Sequence, residues 1–159
     1  MGTLPQLTED DIREFDAALR ELLSQTDATT ALIIDKGGFL ITSQGELQEF
    51  DLTTIAALAS GAYMANQTIA GLVHETNFNS VYQQGEKFSM FAVTIDEECI
   101  LVVIFKAQVS VGLVKYFSVA VVDRVATLMK IAYERVPANG IDLSILNLAD
   151  TSQVFKKKE

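Results

Sequence analysis

Two neighbouring segments, residues 87–95 (KFSMFAVTI) and 99–105 (CILVVIF), are apolar at odd and even positions alike. Successive side chains of a strand point to opposite faces, so a strand apolar on both faces must be covered on both. Two such strands in succession, joined by the turn Asp96-Glu97-Glu98, demand a sheet held between two layers of helix. No other feature constrains the fold as strongly.

The rest of the chain supplies those layers. Thr8 followed by Asp11 is a capping-box pattern, and Ile12, Phe15, Leu19, Leu22 and Leu23 then recur at helical spacing. Thr29–Asp35 and Phe39–Ser43 flank Lys36-Gly37-Gly38 and read as a hairpin, because glycine tolerates positive φ. Asp51 is an N-cap candidate for a second helix reaching about Val73. Ser80–Gln84 is a short polar strand, with a Gly85-Glu86 turn leading into the first of the two apolar segments. A third helix begins after Ser110, with a stripe of Val114, Phe117, Val121, Val125, Leu128 and Ala132. Pro137 and Asn139-Gly140 are expected to end it near Val136.

The predicted element order is αββαβββα, an α+β sandwich. Hairpin pairing and edge placement of the polar strands give an antiparallel five-stranded sheet of order 2-1-5-4-3. Helices 1 and 3 are expected on one face and helix 2 on the other. At 159 residues the chain reads as one domain over 1–136, with a C-terminal extension over 137–159. That extension carries an apolar stretch from Ile141, expected to dock, and the basic end Lys156-Lys157-Lys158, expected to be mobile.

Composition narrows function mainly by exclusion. The net charge is −9, and the first 51 residues hold eleven acids against three bases. Such a surface repels phosphate backbones, so no nucleic-acid partner is expected. The first twenty residues carry Glu9, Asp10 and Asp11 without an apolar core, and the longest apolar run, Ile100–Phe105, is far too short to span a bilayer. A soluble, cytoplasmic protein is the expectation.

Candidate chemistry is sparse. His74 and Cys99 each occur alone of their kind, which leaves no histidine metal cluster and no internal disulfide. His74 reads as a cation near a helix C-terminus and Cys99 as a small core residue. Asp96-Glu97-Glu98 reads as a solvated turn without calcium-loop spacing. GxxxxGK[ST], GxGxxG and GxSxG are all absent. No catalytic residue, cofactor or metal ligand is assigned, and the chain is not expected to be an enzyme. All four arginines (Arg13, Arg20, Arg124, Arg135) fall on the first or third helix, so none is placed on a loop as an arginine finger.

The second helix leaves a surplus. One side covers the sheet, yet the other, among Ala57, Ser60, Gly61, Met64 and Ala65, is uncharged too, and an uncharged outer patch marks an interaction surface. The third strand beside it offers an unpaired edge, and a twofold dimer joining strand to strand and helix to helix would satisfy both. The competing reading has the C-terminal segment fold back over helix 2.

The stretches TALIIDKGGFLITSQG (30–45), LTTIAALASGAYMAN (52–66), VYQQGEKFSMFAV (81–93), CILVVIF (99–105) and SVGLVK (110–115) resemble, in order and spacing, the roadblock/dynein light chain family, specifically its bacterial MglB-like branch. The resemblance covers about residues 8–135. It implies the same five-stranded fold and a homodimer made through helix 2 and strand 3. By correspondence it puts Ala56, Ala59, Ser60 and Tyr63 on the dimer helix, and Val81, Tyr82 and Gln83 on the edge strand. It further implies a small Ras-like GTPase as partner, with hydrolysis or exchange altered by reshaping the partner's own site. Ala57, Gly61, Met64 and Ala65 remain a candidate surface for that partner. The alternatives are a scaffold subunit without effect on nucleotide turnover and a small-molecule sensor; few polar groups converge among the central strands to support the latter.

Overall fold

The computed structural model of the chain describes residues 4–46 and 48–156, with side chains as far as Arg135. Helix α1 (Glu9–Thr26) is followed by β1 (Thr30–Asp35), β2 (Leu40–Gly45) and α2 (Leu52–Leu72). Then come β3 (Ser80–Gln84), β4 (Phe88–Thr94), β5 (Cys99–Lys106) and α3 (Val111–Lys156). The strands form one antiparallel sheet in the order β2-β1-β5-β4-β3, as the pairing argument predicts.

The two apolar strands occupy the interior of that order, and their alternation divides the core. Leu101, Val103 and Phe105 of β5 join Ala31 and Ile33 of β1 and Phe91 of β4 beneath α1 and α3. Ile100, Val102 and Ile104 join Leu32, Ile34 and Ala92 on the other side, beneath α2. Burying both faces of β5 from Cys99 to Phe105 is what the unbroken apolar run requires.

Local signals fix the ends. The Asp11 carboxylate accepts from the Thr8 backbone N–H at 2.8 Å, and the Thr8 hydroxyl accepts from the Asp11 N–H at 3.2 Å, completing the capping box of α1. Asp51 caps α2 by accepting from the N–H and hydroxyl of Thr54, and those bonds hold its carboxyl below the ordinary carboxylate range. Gly45, which ends β2 at φ 107°, lies so near β1 that a Cβ there would meet the Thr29 carbonyl oxygen at 2.3 Å. Only glycine fits that position.

One element departs from expectation. Helix α3 does not stop at Val136 but continues through Pro137, Asn139 and Gly140 to Lys156, a length of about 69 Å at 1.5 Å per residue. A proline inside a helix costs about 3 kcal/mol through one lost hydrogen bond and a steric conflict. It penalises a helix without forbidding one, and apolar residues at 141, 145 and 148 carry the helical spacing past it. The expectations for the tail concern side chains, and for Lys157 and Lys158 whole residues, outside those described. No helix among the described residues is long and apolar enough to cross a membrane.

Candidate functional site

Helix α2 has three distinguishable flanks. The inner one carries Leu52, Ala56, Ala59, Ser60, Tyr63 and Ala70, all buried against the chain's own sheet. Small residues let the helix lie close to the strands, and the polar members are satisfied there. The Ser60 hydroxyl donates to the Lys36 carbonyl. The Tyr63 hydroxyl is 2.6 Å from the Thr94 hydroxyl and accepts from Gln67 Nε2 at 2.8 Å and Asn77 Nδ2 at 3.3 Å. Lys36 Nζ lies 5.4 Å from the Tyr63 ring centroid. Burial disfavours the Tyr63 phenolate, but hydrogen bonds to Thr94, Asn77 and Gln67, with the Lys36 charge, outweigh it and lower the phenol's pKa.

Two contacts orient the other flanks. A Cβ on Gly38, in the β1–β2 turn, would lie 3.2 Å from Ala57 Cα, so the Ala57 side of α2 faces that turn. Ile55 lines an apolar groove of about 430 Å³ with Gln83, Gln84, Phe88, Met90 and Ile104, so its side faces β3 and β4. At 100° per residue Leu58, Ala62 and Ile69 fall beside Ile55 on the β3-facing flank. Gly61 and Ala65 point away from the sheet, between the flanks, and Met64 lies beside Ala57. Leu58 is 68% exposed and Leu72 76%, with Met64 and Ile69 also exposed.

Of the seven positions expected at a dimer interface, the four on α2 face inward. Ala56, Ala59, Ser60 and Tyr63 spend their surface on the chain's own sheet and are covered there. Ala57, Gly61, Met64 and Ala65 are exposed. Leu58 and Ile69 escaped notice because an uncharged helix gives no polar face from which to measure rotation.

Strand β3 is the outer strand on its side of the sheet. Val81 and Gln83 stand opposite Ala92 and Met90 on the α2 side. Tyr82 stands opposite Phe91 on the other side and stacks on Phe105 at 6.2 Å between centroids. The strand edge and the β3-facing flank of α2 thus lie next to each other, with the groove between them.

The isolated reactive groups are not brought together. Cys99 is buried in the core beneath α1 and α3, where burial first, and then Asp96 and Asp35, push its thiol well above the ordinary value. His74 is exposed just past α2 with φ 65°. No group of three or more metal-ligating side chains occurs among the described residues. Arg13, Arg20, Arg124 and Arg135 all lie on α1 and α3, across the sheet from α2. Arg124 holds Glu14 at 2.7 Å and Arg135 holds Asp11 at 2.6 Å.

The model of the Roadblock/LC7 domain family matches residues 14–105, from the middle of α1 to the end of β5. The chain belongs to the Roadblock/LC7 family. Among solved structures, this Roadblock/LC7 chain is similar to an MglB in a tetrameric arrangement, with 26% identity, TM-score 0.77, and coverage of 83% of this chain and 99% of that one. Myxococcus xanthus MglB is 28% identical with TM-score 0.75, over 80% of this chain and 96% of its own. The gliding protein MglB of Thermus thermophilus is 26% identical with TM-score 0.75, over 82% and 98%. A search of curated protein sequences gives no match.

Proposed function

We propose that this Roadblock/LC7 chain is a non-enzymatic homodimeric regulator of a small Ras-like GTPase. The observation that carries the reading is the exterior of α2, a helix without one charged residue from Leu52 to Leu72, exposed beside the unpaired edge of β3. A twofold pairing of β3 with β3 brings the β3-facing flanks of two α2 helices together, so that Leu58, Ala62 and Ile69 cover the groove lined by Ile55 and Phe88. Ala57, Gly61, Met64 and Ala65 then remain outside the seam as the surface offered to the GTPase. The similarity to MglB structures supports this reading.

The arginines lie on the opposite face of the sheet, so the partner's chemistry is altered by repositioning its own groups rather than by a donated guanidinium. Regulation of this kind requires differential affinity for the nucleotide states. The test is affinity capture from native lysate with GDP and with a non-hydrolysable GTP analogue, followed by turnover assays on the retained GTPase. Retention of one GTPase in a single nucleotide state, with altered turnover, is expected. Equal retention with unchanged turnover would assign a scaffold role instead.

A further inference from the structure

The two outer edges of the sheet are not alike. In β2 the pairing with β1 shifts between Ile33 and Ile34, opposite Thr42 and Leu40, which leaves Ile41 as an extra residue. A bulge of that kind bends an edge and spoils it for further pairing. Strand β3 pairs with β4 through five consecutive residues, Ser80–Gln84, with no shift, and it holds no charged residue and no proline. Contacts within the chain fix its ends. Before it, Asn77 Nδ2 donates to the Tyr63 hydroxyl. After it, a Cβ on Gly85 would meet the Phe88 carbonyl oxygen at 2.3 Å, as a tight turn into β4 requires.

One bond sets the direction of the backbone groups along this edge. The Thr94 N–H donates to the Asn79 carbonyl at 3.1 Å, and Asn79 stands opposite Thr94 when the register of β3 and β4 is extended by one residue. Backbone groups alternate in direction along an antiparallel strand, so Val81 and Gln83 spend theirs on β4. The N–H and C=O groups of Ser80, Tyr82 and Gln84 point outward from the sheet.

We propose that β3 pairs with the β3 of a second copy in a single register, with the twofold axis passing through Tyr82. The inference rests on the dimer proposed above and adds the residue at its centre. With both α2 helices on one face of the joined sheet, the axis stands perpendicular to the sheet. Directly opposed residues of an antiparallel pair point to the same face, so the axis passes through a residue and not between two. Centred on Tyr82, Ser80 meets the partner's Gln84, Tyr82 meets the partner's Tyr82, and Gln84 meets the partner's Ser80. Every outward N–H and C=O of both strands is then used. Centred on Val81 or Gln83 instead, Gln84 or Ser80 falls beyond the end of the partner's strand and keeps its groups unpaired. Tyr82 is also the anchor on the face away from α2. Its ring stacks on Phe105 at 6.2 Å between centroids and remains 38% exposed. Opposed residues of a hydrogen-bonded pair have Cα atoms about 5.5 Å apart, so the free sides of the two Tyr82 rings meet.

Cysteines on the α2 side of the strand read the register. Residues 81 and 83 take non-hydrogen-bonded positions across the seam, where opposed Cα atoms lie about 4.5 Å apart and a disulfide can close. Cys99 is buried and does not compete. With the axis at Tyr82, a mixture of Val81→Cys and Gln83→Cys chains should crosslink on mild oxidation. Neither variant alone should, since like cysteines are offset by two residues and lie roughly 8 Å apart. Crosslinking of Val81→Cys alone would put the axis at Val81, and of Gln83→Cys alone at Gln83. Either would overturn the register while leaving a β3 dimer. Sedimentation separates the two levels: a dimer without any of these crosslinks would move the seam away from β3, and a monomer would remove the dimer itself. Tyr82→Glu opposes two like charges at the axis and, in a chain of unchanged circular dichroism, should weaken self-association by about tenfold. Unchanged association would also refute the placement of the axis.

Discussion

On one face of the sheet α1 and α3 lie side by side and fasten their seam with Arg124–Glu14 and Arg135–Asp11. On the other face α2 lies alone, satisfies its polar groups inward through Ser60 and Tyr63, and turns Leu58, Met64 and Ile69 outward. The cores beneath are alike, drawn from alternate residues of the same strands. The difference lies in where charge goes. Charges let α1 and α3 close a seam between them, although Tyr116, Val119 and Ile131 of α3 are exposed as well, whereas α2 has no charge with which to close one.

The widest contrast is between core and exterior. Leu101→Ala, fully buried beneath α1 and α3, should lower stability by about 2–5 kcal/mol. Leu58→Ala should change it by less than about 0.5 kcal/mol. Urea unfolding decides; comparable losses would mean that α2 has no free exterior.

Charge insertion sharpens the contrast within α2. Ala59→Glu puts an unpaired charge against the sheet and should prevent stable folding. Leu58→Glu should preserve the circular dichroism of the fold and weaken self-association by about 100-fold in sedimentation. A dimer indifferent to Leu58→Glu would move the seam off this flank. Gly61→Arg, which meets open space within 4 Å, should leave the dimer intact and weaken GTPase binding by about tenfold.

The smallest effect belongs to the seam between α1 and α3. Burial opposes ionisation of Asp11, but hydrogen bonds from the Thr8 backbone and from Arg135 outweigh it and hold the carboxyl below its ordinary 3.8. A depressed carboxylate adds stability that is present above the unfolded value and is lost as pH falls through the folded one. Asp11→Asn should therefore reduce the stability difference between neutral and acid pH by less than about 1 kcal/mol. A larger change would show that the seam contributes more than an exposed ion pair does.

The fold was legible because its signals are local or of period two. The capping box at Thr8, the glycine turn before Phe39 and the doubly apolar β5 each constrain neighbours within a few residues, and strand order follows from which strands tolerate an edge. The candidate surface was legible only as far as the element. Helix α2 and strand β3 stood out for their missing charge and free edge, but that Ala56, Ala59, Ser60 and Tyr63 are the residues α2 turns to its own sheet could not be read, because the rotation of an uncharged helix has no sequence signal. The close approach of Gly38 to Ala57 and the groove beside Ile55 set that rotation, and both depend on residues distant in sequence.

The sequence by itself determined a sheet covered on both faces, an exterior helix without charge, and four arginines confined to the first and third helices. Each follows from residue type and spacing along one element. The tertiary structure alone decided which flank of α2 is spent on the sheet and that α3 runs on through Pro137. Those outcomes depend on how elements far apart in the chain meet, and helical periodicity repeats identically whichever way a helix is turned.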